Sequence, residues 1–198
     1  MRLEKKLIVI GEQRVGKTRL LELLSKGYTR HRFKNSASFF ATERTFAVEL
    51  DLAIIEFSMW DSQGKEDYEH LRPLLYPGTD VVLLVFDTTN RYSLNLIDKK
   101  WVSDVWHYMQ GAQYILVGNK SDERDARENL MTADQSLVSH KQGEAMAKRI
   151  GAKAYVECSL SNRNSMCRVL EVAARYCVQA EGQKKEKGTG WISRLRRK

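Results

Sequence analysis

The eight residues from Gly11 to Thr18, GEQRVGKT, follow the pattern G-x-x-x-x-G-K-[ST], a spacing that suits phosphate binding. In such a loop successive backbone N–H groups curl around a phosphate, and the N-terminus of the following helix adds partial positive charge. Lys17 then spans the β- and γ-phosphates, and the Thr18 hydroxyl is placed to ligate Mg²⁺. Gly11, Gln13, Arg14, Val15, Gly16, Lys17, Thr18 and Arg19 form the expected phosphate-binding set.

A phosphate loop does not say which base goes with it. Asn119-Lys120-Ser121-Asp122 supplies that information, because a carboxylate at Asp122 accepts hydrogen bonds from guanine N1–H and N2–H₂. Adenine has an acceptor at N1 and no 2-amino group, so it would leave a buried carboxylate unpaired. GTP and GDP, with Mg²⁺, are the expected ligands.

These groups need a scaffold that brings distant loops together. Short apolar runs recur at LIVIG (7–11), TFAVELDL (45–52), AIIEFSMW (53–60), DVVLLVFD (80–87), QYILVGN (113–119) and AYVEC (154–158). Helical patterns lie between most of them, which predicts an α/β fold with about six strands, mostly parallel, and helices on both faces. The second and third runs adjoin with almost no turn, predicting an antiparallel hairpin at one sheet edge. Met166, Val169, Leu170, Ala173, Tyr176, Cys177 and Ala180 repeat at helical spacing and predict a last amphipathic helix over about 163–180. In a sheet of this kind ligands bind at the carboxyl ends of the strands. Both motifs stand at such ends.

With 198 residues, 42% of them apolar, the chain is sized for one domain. No run approaches the roughly 20 apolar residues of a membrane span, and no signal-peptide core precedes Gly11. Cys158, Cys167 and Cys177 have neither disulfide-framework nor metal-site spacing, and are expected to be reduced thiols in a cytoplasmic chain. The net charge of +8 is concentrated at one end, where Lys184, Lys185, Lys187, Arg194, Arg196, Arg197 and Lys198 face only Glu181 and Glu186. That concentration argues against a nucleic-acid-binding face. It places the expected domain boundary near residue 180, with a flexible polybasic tail over 181–198.

The phosphate loop, the NKxD motif and Trp60-Asp61-Ser62-Gln63-Gly64 together resemble the Ras superfamily of P-loop G domains, whose third motif is DxxG. By this resemblance Asp61 holds Mg²⁺ through a water and the Gly64 N–H senses the γ-phosphate. The segment ECSLS (157–161) resembles the last guanine-contacting element, with Ser159 bracing its loop and the Leu160 N–H directed at guanine O6. The family usually has Ala at that place, so the larger Leu160 must find room. The stretch EDYEHLRPLLYPGTDVVLLVF (66–86) and Lys100-Trp101 resemble the Rho family, as does a long segment between Asp122 and Ser159 whose excess, DERDARENLMTADQSL, forms a helical insertion over about 123–137.

The first switch is the weakest match. Phe39-Phe40-Ala41-Thr42 stands where the family has Tyr-x-Pro-Thr, and GYTRHRFKNSASFF carries an insertion. Thr42 is the choice for the Mg²⁺ ligand there, with Thr45 and Ser38 as alternatives, and either Tyr28 or Phe33 would stack on guanine. By resemblance, switch I (about 39–46) and switch II (about 62–75) would face effector proteins and exchange factors.

Two departures fall on hydrolysis. Lys65 occupies the place after the DxxG glycine, where the family's Gln orients the attacking water. An ammonium cannot accept the water's proton and has no amide plane. Gln13 occupies the place of a family Gly, and its side chain crowds the space used by the water-orienting group and an activator's arginine. The pattern resembles atypical, GTP-loaded Rho proteins. A normally cycling GTPase with Gln63 in the missing role, and a nucleotide-independent scaffold, are the rival readings.

The terminal segment also departs from the family, since no Cys follows Cys177 to make a prenylated C-a-a-X box. Weak peripheral contact with anionic membrane is expected through the basic residues, with Trp191, Ile192 and Leu195 inserting shallowly. A solvated tail and a nuclear-localisation signal are the alternatives.

Overall fold

The computed structural model describes residues 1–27, 35–37, 41–50, 53–62, 69–130 and 134–195, with the side chains of 25–27, 35–37, 41–42 and 183–195 outside that description. Its centre is a sheet in the order β2-β3-β4-β1-β5-β6-β7. The strands are β1 (Arg2–Ile10), β2 (Asn35–Ala37), β3 (Ala41–Leu50), β4 (Ala53–Ser62), β5 (Val81–Asp87), β6 (Gln113–Asn119) and β7 (Tyr155–Glu157).

From β4 across to β7 every neighbouring pair is parallel. Buried on both faces, these strands read as continuous apolar runs, and every residue of β5 is buried. β3 and β4 form the expected antiparallel hairpin, with Leu50 opposite Ala53. The six expected strands are all present. A short seventh, β2, pairs antiparallel with β3 from within the insertion before switch I, where no apolar run announced it.

The helices are α1 (Lys17–Gly27), α2 (Arg91–Leu96), α3 (Val102–Tyr108), α4 (Ser121–Leu130), α5 (His140–Ile150) and α6 (Arg163–Leu195), with a π-helical turn at Ile97–Trp101 joining α2 to α3. α1 and α6 cover one sheet face, packing Leu20, Leu21, Val169, Leu170 and Ala173 on Leu7, Val9, Phe57 and Val117. α3 and α5 cover the other, where Trp101, Val105, Met146 and Ile150 meet Ile8, Ile10, Leu84 and Phe86. Trp101 is fully buried.

Two helices differ from expectation in extent. The insertion expected over about 123–137 is helical to Leu130, and residues 131–133 lie outside the described chain. The backbone of α6 stays helical to Leu195, well past residue 180, where a flexible tail was expected. Gln183, Lys184, Lys185, Glu186 and Lys187 are good helix formers and carry the helix on despite their charge. Among the described residues no helix is long and apolar enough to cross a membrane. Cys158 and Cys177 are buried free thiols, and Cys167 is a half-buried one.

Candidate functional site

The loop between β1 and α1 is fixed by close backbone approach. A Cβ on Gly11 would lie 2.1 Å from the Val85 carbonyl oxygen of β5, and Gly11 has φ +147°. Gly16, at φ +94°, would drive a Cβ to within 2.4 Å of Asn119 Nδ2. Only glycine satisfies both the sterics and the conformation at these two positions. Among the described residues the two non-glycine positions with left-handed φ are Arg14 at 62° and Lys120 at 63°, one in each recognition loop. Backbone strain of this kind collects at functional sites.

Lys17 is 6% exposed, and its Nζ donates to the carbonyls of Gly11 and Glu12, each at 2.8 Å. Burial pushes its pKa down to about 8, against the attraction of Asp61 and Glu12. The Thr18 hydroxyl donates to Asp61 Oδ2 over 2.6 Å. Burial raises the Asp61 carboxyl above its usual range, while the Thr18 bond and the Lys17 charge pull the other way. The second oxygen, Asp61 Oδ1, is buried and has no hydrogen-bond partner among the described residues.

That orphaned oxygen beside a hydroxyl and an ammonium fits a divalent cation site whose remaining ligands come from elsewhere. Among the described residues no group of three or more His, Cys, Asp or Glu side chains converges on a metal position. A hard cation here would complete its shell with phosphate oxygens and water, as Mg²⁺ prefers.

Thr42 lies in β3 directly opposite Asp61 in the β3–β4 register, so the backbone brings these two positions together. Thr45 is opposite Ser58, three positions further from Asp61 along the hairpin. Tyr28, Phe33 and Ser38 lie outside the described residues, as do Gln63, Gly64 and Lys65. Gln13 is exposed, and its N–H donates to Glu12 Oε1 at 2.7 Å. Val15 is buried. Arg19 points outward and pairs with Glu22 at 3.2 Å.

The base-reading loop follows β6. Asn119 is fully buried and its Nδ2 donates to the Val15 carbonyl at 2.8 Å, while Cys158 Sγ contacts its Oδ1 at 3.5 Å. Lys120 Nζ donates to Asp87 Oδ2 at 2.5 Å, and Asp87 Oδ1 accepts from the Thr89 backbone N–H and hydroxyl. Asp122 lies in the first turn of α4 and accepts from the Ser161 hydroxyl. Burial works against its charge, but hydrogen bonds from Ser161, Ser159 and nearby backbone N–H groups hold its pKa below the ordinary value.

α4 is anchored just beyond this loop. Arg124, nearly buried, grips Glu157 with Nη1 at 2.5 Å and Nη2 at 2.9 Å, and donates to the Val138 carbonyl at 3.2 Å. After β7, Leu160 is half-buried against the α1/α6 core, with Cδ1 4.0 Å from the Cβ position of Gly16. The larger side chain thus finds its room between the phosphate loop and the core.

Three contributors were missed in the sequence: Asp87, Thr89 and Ser161. Asp87 stands at the carboxyl end of a buried parallel strand, which is where functional groups collect in such sheets. Ser161 is the last residue of ECSLS. A groove of about 730 Å³ on the outer face of β1, β3 and β4 is lined by Arg2, Lys6, Glu43, Glu56 and Ser58. It shares no residue with the site, and its charges largely offset one another.

The Ras family profile matches residues 6–179 of the chain. Over 193 residues the chain is 38% identical to the GTP-binding protein RHO1 of Candida albicans, an alignment that covers 93% of each protein.

Proposed function

The chain belongs to the Rho family of small GTP-binding proteins, and from that premise we propose a signalling switch that holds GTP and hydrolyses it slowly. The observation that carries the nucleotide part is the direct tie between the two recognition loops, Asn119 Nδ2 to the Val15 carbonyl at 2.8 Å. Gly11, Gln13, Arg14, Val15, Gly16, Lys17, Thr18 and Arg19 take the phosphates in this reading. Asn119, Lys120, Asp122, Ser159 and Leu160 take the guanine. Lys17 Nζ, held by the Gly11 and Glu12 carbonyls, has a further N–H to give to a phosphate oxygen.

Thr18, Asp61 through a water, and Thr42 would hold Mg²⁺, which when bound neutralises charge on the β- and γ-phosphates. The Thr18–Asp61 contact keeps those two groups together beforehand. Gly64 would contact the γ-phosphate and so couple switch II to nucleotide state.

Slow hydrolysis rests on Lys65 and Gln13. Lys65 has no amide plane with which to orient the attacking water as the family's Gln does, and Gln13 fills space that an activator's arginine needs. That arginine is worth roughly 10³ to 10⁵ in rate, so losing both aids leaves slow turnover. Effectors and exchange factors would meet the chain at its switches, and the basic residues after Ala180 would make weak contact with anionic lipid.

The test is to purify the protein natively, extract the bound nucleotide and separate it by chromatography. A guanine nucleotide in stoichiometric amount, mainly GTP, is expected. Adenine nucleotide, or none, would refute the reading.

A further inference from the structure

Two serines stand in line behind the guanine-reading carboxylate. The Ser161 hydroxyl donates to Asp122 Oδ2. Ser159 Oγ lies 2.6 Å from Ser161 Oγ, and the Ser161 backbone N–H donates to Ser159 Oγ at 3.1 Å. Each hydroxyl has one proton to give. In this line of hydroxyls Ser161 spends its proton on Asp122, while Ser159 Oγ accepts from the Ser161 N–H and shares its own proton between Ser161 Oγ and the same carboxylate. The far end of the line is fixed, because Ser165 Oγ accepts from the Ser159 N–H at 3.0 Å and donates to the Asn162 carbonyl at 2.7 Å.

We propose that Ser161 is a positioning residue for base recognition, fixing the Asp122 carboxylate plane through Oδ2 so that both oxygens face the guanine edge. This rests on the guanine-nucleotide reading above. A carboxylate has two acceptor directions per oxygen, so Oδ2 can keep the Ser161 bond while it accepts from a base. Fixing the plane matters most for a ligand that uses both oxygens. Guanine offers N1–H and the 2-amino group, whereas hypoxanthine offers N1–H alone. Ser161 therefore contributes to discrimination between them as well as to affinity. Its exposed position makes it a poor candidate for a fold-supporting residue.

The experiment measures Kd for GDP, IDP and ADP on nucleotide-free wild type, Ser161→Ala and Ser161→Thr, with thermal midpoints of each nucleotide-free protein. Ser161→Ala is expected to weaken GDP roughly fivefold to tenfold and IDP by twofold or less, so the GDP-to-IDP preference narrows. Ser161→Thr, which keeps the hydroxyl, is expected to restore most of the GDP affinity, and midpoints should be unchanged. Unaltered GDP affinity in Ser161→Ala overturns the proposal, as does an equal loss for GDP and IDP. A wild-type protein with no preference for GDP over ADP would instead overturn the guanine reading itself.

Discussion

Asn119 Nδ2 donates to the Val15 carbonyl across 2.8 Å, so the residue that opens the base-reading loop also closes the phosphate loop. Asn119 is fully buried. Its replacement by Ala leaves a buried carbonyl unpaired and opens a small void. Asn119→Ala is expected to destabilise the nucleotide-free protein by about 1–3 kcal/mol, measured by urea denaturation. It should also speed release of a fluorescent GDP analogue, because the phosphate loop loses its tie to the end of β6.

Gly16 faces the same amide. A methyl group there would lie 2.4 Å from Asn119 Nδ2, on a backbone with φ +94°. Gly16→Ala therefore adds conformational strain and displaces the Asn119 bond together. The expected cost is about 2 kcal/mol or more, and GDP binding should be lost. A combined Gly16→Ala/Asn119→Ala variant should be less destabilised than the sum of the single changes, because both act through one contact.

Lys17 gives a pH signature. Its folded-state pKa of about 8 lies below the ordinary 10.5, so between those values the unfolded chain binds more protons than the folded one. Stability of the nucleotide-free protein should rise with pH across that window, by roughly 3 kcal/mol in all. Bound phosphate would restore the charge on Lys17. Calorimetric titration of GDP at pH 8.5 in buffers of different ionisation enthalpy should then report uptake of most of one proton, and titration at pH 7 almost none. Lys17→Met should abolish the difference.

Asp61 carries the opposite penalty. Burial raises its carboxyl pKa, so its ionised form is less favourable folded than unfolded, and stability falls as pH rises from the unfolded value through the raised one. Asp61→Asn should leave the nucleotide-free protein at least as stable as wild type at pH 7, because the neutral amide avoids the cost of burying a charge. Chelation of Mg²⁺ should accelerate GDP release from wild type and leave release from Asp61→Asn unchanged.

What the sequence made legible was mainly contiguous. The phosphate loop is eight successive residues between a strand and a helix, so its order alone announces it. β5 and β6 were plain because strands buried on both faces cannot hide their apolar runs. Ser161 was not, since its contact with Asp122 spans 39 positions and depends on how two loops meet. The Lys120–Asp87 pair was missed for the same reason. β2 has only three residues, Asn-Ser-Ala, with no alternation to mark it, and exists through pairing with β3. The extent of α6 was not legible because charge and glycine read as a tail, while the lysines and Glu186 between them favour helix.

The most direct measurement is single-turnover release of phosphate from protein loaded with GTP and Mg²⁺, comparing wild type with a Gln13→Gly/Lys65→Gln variant. The account predicts slow release from wild type and a clear acceleration in the variant, with further stimulation by a Rho-type activating protein in the variant alone. Release from wild type at the rate of ordinary family members, or a variant no faster than wild type, would contradict it.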